Sequence, residues 1–159
     1  MSGAVRVVAI VGPTAVGKSA VALTLAEHLG AEIISADSRQ VYRGLDVGTA
    51  KPSAQEQARV SHHLIDVADP DERFDAARFR TLALAAITAS VERGRPIVIC
   101  GGTGLYVRVL RHGLFAGPAA VPELRAALYE RERVHGAGTL HHDLAEADPP
   151  TAVRLHARD

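Results

Sequence analysis

Eight consecutive residues near the N-terminus have the composition of a phosphate-binding loop. They match the pattern G-x-x-x-x-G-K-[S/T] at every fixed position. The loop consists of Gly12, Pro13, Thr14, Ala15, Val16, Gly17, Lys18 and Ser19. In such a loop, backbone N–H groups, the start of the following helix and the lysine all face the phosphate oxygens. Because the Ser19 hydroxyl can ligate Mg²⁺, the segment predicts a P-loop that holds a di- or triphosphate with Mg²⁺.

The P-loop alone leaves the reaction open, because ATPases, GTPases, small-molecule kinases and some transferases all use one. The chain contains no N-K-x-D segment, which a GTPase would need to read guanine. The strand predicted at 96–100 is followed by Gly101 and Gly102 rather than by an acidic residue, so Asp66 is the better candidate for a Walker B carboxylate. An ordinary NTPase is therefore poorly supported.

Asp37 follows another predicted strand, at 32–35. In an open parallel sheet it would lie at the carboxyl edge beside the P-loop, where such sheets bind their ligands. A carboxylate at that place can accept a proton from a nucleophile or orient it. The residue could equally cap a helix or close a turn, and from position alone both interpretations stay open.

Alternating strand and helix patterns would position these residues. Strands are predicted at 5–11, 32–35, 63–67 and 96–100, the first and the last of them buried, and helices at 19–29, 74–93 and 105–110. The alternation predicts an α/β fold, a P-loop NTPase-like three-layer sandwich with a mostly parallel sheet. Residues 1–117 would form this core. From about residue 118 a helical segment follows, with helices at 123–133 and 140–147 and a break at 148–150.

Composition excludes several other classes of protein. The 159 residues, 47% of them apolar, suit one globular domain, and the 18 basic and 18 acidic residues cancel. The chain therefore lacks the positive field of a protein that binds nucleic acid by charge alone, although a local basic patch stays open. The single Cys100 cannot form an internal disulfide, and no apolar run is long enough for a signal or membrane segment. We expect a cytoplasmic monomer with no membrane partner.

Five blocks of sequence, in this order, resemble the tRNA dimethylallyltransferases, also called tRNA isopentenyltransferases. The blocks lie at 12–19, 32–42, 46–52, 62–66 and 101–106. The resemblance covers the whole chain. It implies transfer of a dimethylallyl group from dimethylallyl diphosphate to N6 of the adenosine adjacent to the anticodon, in tRNAs that read codons beginning with U. The P-loop would then hold diphosphate as a leaving group, with Lys18 and Mg²⁺ stabilising its charge.

The resemblance also implies roles for individual residues. Asp37 would be the base that contacts the adenine amine, with Lys18 and Thr103 as further catalytic residues. Contacts to tRNA would come from Asp37, Ser38, Arg39, Gln40, Thr103 and Arg125. Judged by residue type alone, Thr103 could instead be a helix N-cap and Arg125 a solvated charge. Tyr42 and Tyr106 are predicted to pack in the core, and the pairs His62–His63 and His141–His142 to be structural, because they lack the spacing of a zinc site.

Members of this family usually run to about twice this length. We expect the Arg-rich segment, the further strand and the C-terminal helices of the family to be missing, which would leave an incomplete sheet with an exposed edge. The chain is predicted to bind diphosphate but to modify tRNA poorly or not at all by itself. Three alternatives stay open: an adenylate isopentenyltransferase that uses free AMP, ADP or ATP, a small-molecule kinase, and a non-catalytic diphosphate-binding fragment.

Overall fold

The computed structural model describes residues 7–114, 117 and 121–158. The chain divides into two compact units, Met1–Phe115 and Ala116–Asp159. The domain boundary predicted between 117 and 118 falls in a stretch where most residues lie outside the described ones.

The described part of the first unit is built around a parallel sheet. Its elements are β1 (Val7–Val11), α1 (Lys18–Leu29), β2 (Glu32–Ser35), α2 (Ala54–Arg59), β3 (His62–His63), α3 (Ala76–Glu92), β4 (Ile97–Gly101) and α4 (Gly104–His112). The strand order is β1-β4-β2-β3, and each pairing is parallel. The predicted parallel α/β architecture is confirmed.

Alternate residues of the central strands pack into two different layers. On one face, Ile34 and Ile99 pack with Phe79 of α3 and Tyr106 of α4. The Tyr106 ring stacks on Phe79 with centroids 4.1 Å apart, as its predicted packing role requires. Because successive side chains of a strand point to opposite faces, the neighbouring residues are available to the other layer.

The second layer is formed by α1. Ile33, Val98 and Cys100 pack there with Ala22 and Leu23 of the helix. Helices thus cover both faces of the sheet, and the predicted three-layer sandwich is confirmed.

The sheet is anchored at its end remote from the P-loop by the buried Glu32, the first residue of β2. Its carboxylate accepts hydrogen bonds from Arg93 at 2.7 Å, Ser90 at 2.6 Å and the His63 ring at 2.6 Å. The hydrogen bond from Arg93 lowers the pKa of Glu32 to about 2; burial opposes this shift, and Ser90 and His63 add to it. This cluster joins β2, β3 and the end of α3.

The first strand differs from its prediction. Val7, Val8 and Val11 are 45%, 39% and 56% exposed, so β1 is not buried. Among the described strands it pairs only with β4 and forms the edge of the sheet. A β-branched run indicates a strand but not its place in the sheet, which is why the burial was predicted wrongly. Residues 5 and 6 of the predicted strand lie outside the described residues.

The strand predicted at 63–67 is also wrong in extent. β3 contains only His62 and His63, and the chain then turns away because Leu64 and Asp66 adopt φ values of 63° and 55°. These left-handed conformations cannot continue a strand. Further along, the helices predicted at 74–93 and 105–110 correspond to α3 and α4.

Two short helices were missed, and both have a cap that the sequence displays. α2 begins with a capping box in which Ser53 and Glu56 bond reciprocally, and the bonds from Ser53 hold the pKa of Glu56 below its usual range. In the second unit, the break predicted at 148–150 is present at Asp148, which lies between two helices, but Pro149 and Pro150 already belong to the second of them. Asp148 caps a helix there that starts at Pro149, a position where the missing N–H of proline costs nothing.

The second unit is helical. It comprises α5 (Pro122–His135), α6 (Thr139–Ala147) and α7 (Pro149–Arg154), the first two near their predicted places. The Glu132 carboxylate accepts hydrogen bonds from the backbone N–H groups of Gly138 and Leu140, which fixes the turn between α5 and α6. Throughout the described part of the chain, every helix is too short or too polar to cross a bilayer.

Candidate active site

The predicted P-loop, 12–19, connects β1 to α1. Gly17 immediately precedes the helix with φ 86°, a left-handed conformation that glycine adopts without strain, and Ala15 adopts φ 65°. The Lys18 ammonium folds back and donates a hydrogen bond of 2.5 Å to the carbonyl oxygen of Pro13. The loop therefore curls around the site where a phosphate group would sit in a protein with this motif.

A cavity of about 330 Å³ lies beside the P-loop. It is lined by part of the loop, the first turns of α1, the carboxyl ends of β2 and β4, and the segment 49–52. Of the predicted phosphate-binding residues, those on the cavity are Thr14, Ala15, Gly17, Lys18 and Ser19, whereas Gly12, Pro13 and Val16 do not line it. The position matches the general place of ligand sites in open parallel sheets.

Asp37 lines the same cavity just beyond the end of β2. Its Oδ1 atom accepts hydrogen bonds from the backbone N–H groups of Arg39 at 2.8 Å and Gln40 at 3.4 Å. The Oδ2 atom receives no hydrogen bond from any residue that the structure describes. Asp37 thus closes a turn with one of its oxygens, and its place on the cavity leaves its interpretation as a proton acceptor open.

Thr103 fixes the backbone next to Asp37. It stands at the N-cap position of α4, but its side chain makes no capping bond. Its Oγ1 instead accepts a hydrogen bond of 3.0 Å from the Ser38 backbone N–H, and its own N–H donates to the carbonyl oxygen of Ala36 at 3.1 Å. Thr103 therefore positions the loop that carries Asp37.

Gly101 allows this close approach of β4 to the end of β2. A Cβ atom at residue 101 would lie 2.1 Å from the carbonyl oxygen of Ala36. The neighbouring Gly102 has more room, since a Cβ there would lie 3.5 Å from the carbonyl oxygen of Gly12. Only glycine at position 101 permits the observed arrangement of Ala36, Asp37 and Thr103.

Gln40 is buried, with 8% of its surface exposed, although the resemblance implies a contact to tRNA. Its Nε2 donates to the carbonyl oxygens of Thr49 at 3.2 Å and Ala50 at 3.0 Å, and its Oε1 accepts from Ser35 at 2.8 Å. Both amide hydrogens are thus engaged inside the protein. Arg39 beside it is exposed and is free to reach a ligand of the loop.

Asp66 does not act as a Walker B residue in this arrangement. Its Oδ1 accepts a hydrogen bond of 2.7 Å from the ammonium of Lys51, and the residue does not line the cavity. Lys51, which sequence reasoning did not single out, does line it. The sequence signal for Lys51 is its position in the block 46–52, to whose residues no role is assigned.

The histidine pairs divide into different roles. His63 bonds to Glu32, and the His141 ring bonds to the carbonyl oxygens of Ala152 and Leu155, as predicted for structural residues. His62 instead lines the cavity. Burial lowers its pKa, although its hydrogen bond of 2.7 Å with the carbonyl oxygen of Val60 opposes the shift. A neutral ring at this place adds polarity to the cavity without charge.

Arg125 lies in the second unit, in the first turn of α5. Its side chain is exposed and makes no ion pair with any described residue. Its predicted contact to tRNA therefore stays a prediction.

Residues 40–159 match the family model described as IPP transferase. The chain belongs to this family. A tRNA dimethylallyltransferase from Halorhodospira halophila is 56% identical over 153 residues, which are 96% of this chain and 49% of that protein. The chain spans about half the length of the curated relatives it matches.

Solved structures of the family show the same fold. The tRNA isopentenylpyrophosphate transferase from Bacillus halodurans is 46% identical and superposes with a TM-score of 0.68, covering 97% of this chain and 51% of that one. A eukaryotic dimethylallyltransferase acting on tRNA is 28% identical with a TM-score of 0.81, covering 98% of this chain and 39% of that one. The P-loop lies outside the range of the family model but inside the range of these relatives.

Proposed function

We propose that this protein transfers a dimethylallyl group from dimethylallyl diphosphate to N6 of the adenosine adjacent to the anticodon, in tRNAs that read codons beginning with U. One observation carries the proposal: Asp37 and the P-loop residues Lys18 and Ser19 line a single cavity at the carboxyl edge of the sheet. A loop suited to holding a diphosphate and a carboxylate suited to accepting a proton thus line one cavity, which supports the proposal. The names of the relatives support tRNA as the acceptor.

The reaction is a displacement at C1 of the dimethylallyl group. The N6 amine forms a bond to C1, the bond from C1 to the diphosphate oxygen breaks, and diphosphate leaves with the electron pair. The lost N6 proton passes to Oδ2 of Asp37. Backbone N–H groups of the P-loop and the Lys18 ammonium stabilise the charge that develops on diphosphate, once Lys18 exchanges the Pro13 carbonyl for phosphate. Through its bonds to Ser38 and Ala36, Thr103 keeps the loop that carries Asp37 in position.

The residues present fit a Mg²⁺ ion bound together with diphosphate. Ser19 lines the cavity and its hydroxyl makes no side-chain hydrogen bond to a described residue, so it could ligate a cation. In the described part of the chain, no group of three or more His, Cys, Asp or Glu side chains could hold a metal ion. Mg²⁺ commonly binds through few protein ligands plus phosphates and water, and it would supply neutralisation of the diphosphate charge.

Recognition of tRNA is part of the same proposal. Ser38 and Arg39 adjoin Asp37, and the Arg39 guanidinium is exposed where a polynucleotide acceptor could reach it. Arg125 would add a contact from the second unit. A reducing cytoplasm suits the buried Cys100, whose pKa is raised by burial so that the thiol stays neutral.

The proposal is tested by incubating the protein with dimethylallyl diphosphate, Mg²⁺ and unmodified tRNA, with a full-length relative as the positive control. Prenylated adenosine beside the anticodon, formed much more slowly than by the full-length relative because the chain is predicted to modify tRNA poorly by itself, supports it. Parallel reactions replace tRNA by AMP, ADP or ATP, and a further one uses ATP labelled in its γ-phosphate. Saturable binding of inorganic pyrophosphate by the wild type, weakened at least about tenfold in Lys18→Ala, establishes the donor site independently of the acceptor. Absence of that binding, or transfer only to free nucleotide, would contradict the proposal.

A further inference from the structure

The Lys51 side chain is a buried cation that no step of the proposed reaction uses. Only 5% of it is exposed. Its ammonium donates to the carbonyl oxygen of Tyr42 at 2.9 Å, to Asp46 Oδ1 at 2.5 Å and to Asp66 Oδ1 at 2.7 Å. An ammonium has three hydrogens to donate, so each of them has an acceptor. Burying a charge is tolerated only with such complete pairing.

The backbone just before Lys51 is held from the other side by Gln40. The two carbonyl oxygens that accept from the Gln40 amide belong to Thr49 and Ala50, and Ser35 of β2 in turn bonds to Gln40. Ala50 has φ 50°, a conformation that a residue with a Cβ keeps only when its surroundings impose it. The segment 49–51 is therefore fastened to β2 through Gln40 and to the chain after β3 through Asp66.

This fastened segment is a wall of the cavity. Thr49, Ala50, Lys51 and Pro52 line it, and none of them belongs to the P-loop. Apolar residues of the α1 layer, among them Leu23, line the same cavity. The cavity thus has walls without phosphate-binding groups, and these are the walls available to the organic part of a diphosphate ester.

We infer that Lys51 and Gln40 form a brace that positions the wall at 49–52 against the organic part of the donor, so that Lys51 is a positioning residue for the isoprenoid tail. The inference rests on the proposed function, because it takes the cavity to be the donor site. Lys51 does not bind diphosphate in this arrangement, since its three N–H groups are already occupied. Although burial acts in the opposite direction, the hydrogen bonds to Asp46 and Asp66 raise the pKa of Lys51, so the brace stays charged at neutral pH.

The test compares two probes, dimethylallyl diphosphate and inorganic pyrophosphate, by titration calorimetry with the full chain. Lys51→Met is expected to weaken binding of dimethylallyl diphosphate about tenfold and that of pyrophosphate less than about twofold. The matched control is Arg43→Met, which breaks an exposed ion pair with Asp69 and should change neither affinity. In Lys51→Met/Asp66→Asn, one of the two carboxylates left without a partner is removed, which should restore part of the melting temperature. It should not restore the tail-dependent affinity, that is, the excess affinity for dimethylallyl diphosphate over pyrophosphate.

If Lys51 had only a structural role, its replacement would weaken the binding of both probes equally. Equal loss for the two probes, no loss for either, or recovery of the tail-dependent affinity in the double variant would overturn the inference. If Lys51→Met fails to fold, Asp66→Asn replaces it, with an expected selective loss of about threefold. If the wild type binds neither probe, the proposed function fails. Hydrogen exchange then tests by itself the brace formed by Lys51 and Gln40. Faster exchange of the 45–52 amides in the variant supports it, and unchanged exchange overturns it.

Discussion

In the proposed reaction Asp37 uses its two carboxylate oxygens for different purposes, and one substitution separates them. In Asp37→Asn the amide oxygen can still accept from the N–H groups of Arg39 and Gln40, so the turn is kept. The amide cannot take the proton of the acceptor amine. We expect the transfer rate to fall at least about 100-fold, while the Kd for pyrophosphate changes less than about twofold. Single-turnover assays and calorimetry measure the two; equal transfer rates would refute the role of base.

Thr103 offers a second test at the scale of one residue. Thr103→Val removes the acceptor of the Ser38 N–H and keeps the side-chain shape, whereas Thr103→Ser keeps the hydroxyl. Loss of a partner by a partly buried N–H predicts a decrease in the free energy of unfolding of about 1 to 2 kcal/mol for the valine variant, and less than about 0.5 kcal/mol for the serine variant. Urea denaturation measures both. A valine variant as stable as wild type would show that this bond does not hold the loop.

At the scale of secondary structure, the contact between β4 and the end of β2 depends on Gly101. Gly101→Ala would put a methyl group 2.1 Å from the Ala36 carbonyl oxygen, so the strands must separate. We expect the free energy of unfolding to decrease by about 3 kcal/mol or more. Gly102→Ala is the matched control, because its Cβ meets nothing nearer than 3.5 Å. Thermal melts of the two variants give the answer, and similar melting temperatures would contradict the packing argument.

How far the sequence predicts these elements depends on how local their causes are. The P-loop, α1 and the position of Asp37 follow from motif and periodicity within a few residues. An exposed sheet edge was predicted, but not that β1 forms it, because this depends on which strands become its neighbours. The abrupt end of β3 depends on left-handed φ values at Leu64 and Asp66, which the run His-Leu-Ile-Asp-Val does not indicate.

The same distinction applies to the site. Asp37 and Thr103 were identified through blocks of sequence, and the structure brings them together through Ser38. The inward bonds of Gln40 could not be foreseen, because they depend on where the carbonyl groups of a distant segment lie. By contrast, the helix at 54–59 was foreseeable, since Ser53 and Glu56 have the spacing of a capping box.

For the molecule as a whole, the Glu32 cluster makes stability depend on pH. The pKa of Glu32 is lowered from 4.5 to about 2, so the native state favours the ionised carboxylate. The contribution of Glu32 to the free energy of unfolding is therefore fully present above about pH 4.5 and is lost as the pH falls toward 2. Glu32→Gln should lower the free energy of unfolding by roughly 2 to 3 kcal/mol at pH 7 and flatten its decline between these pH values.

Denaturant titrations between pH 2 and 7 measure this effect against Glu27→Gln, which breaks a partly exposed pair with Arg59. That control should change the free energy of unfolding by less than about 1 kcal/mol. If Glu32→Gln parallels the wild type at every pH, the cluster does not control acid stability.

The narrow gap at Gly101 also limits which substitutions the protein can tolerate at this position. Every other amino acid carries a Cβ, so any missense change of this codon creates the same collision with the Ala36 carbonyl oxygen. No substitution at Gly101 is therefore mild. At apolar core positions, by contrast, one side chain can be replaced by another of similar size. Among natural relatives, genes that encode a functional protein should therefore keep glycine at this position. Genes that no longer encode a functional protein can carry other residues there.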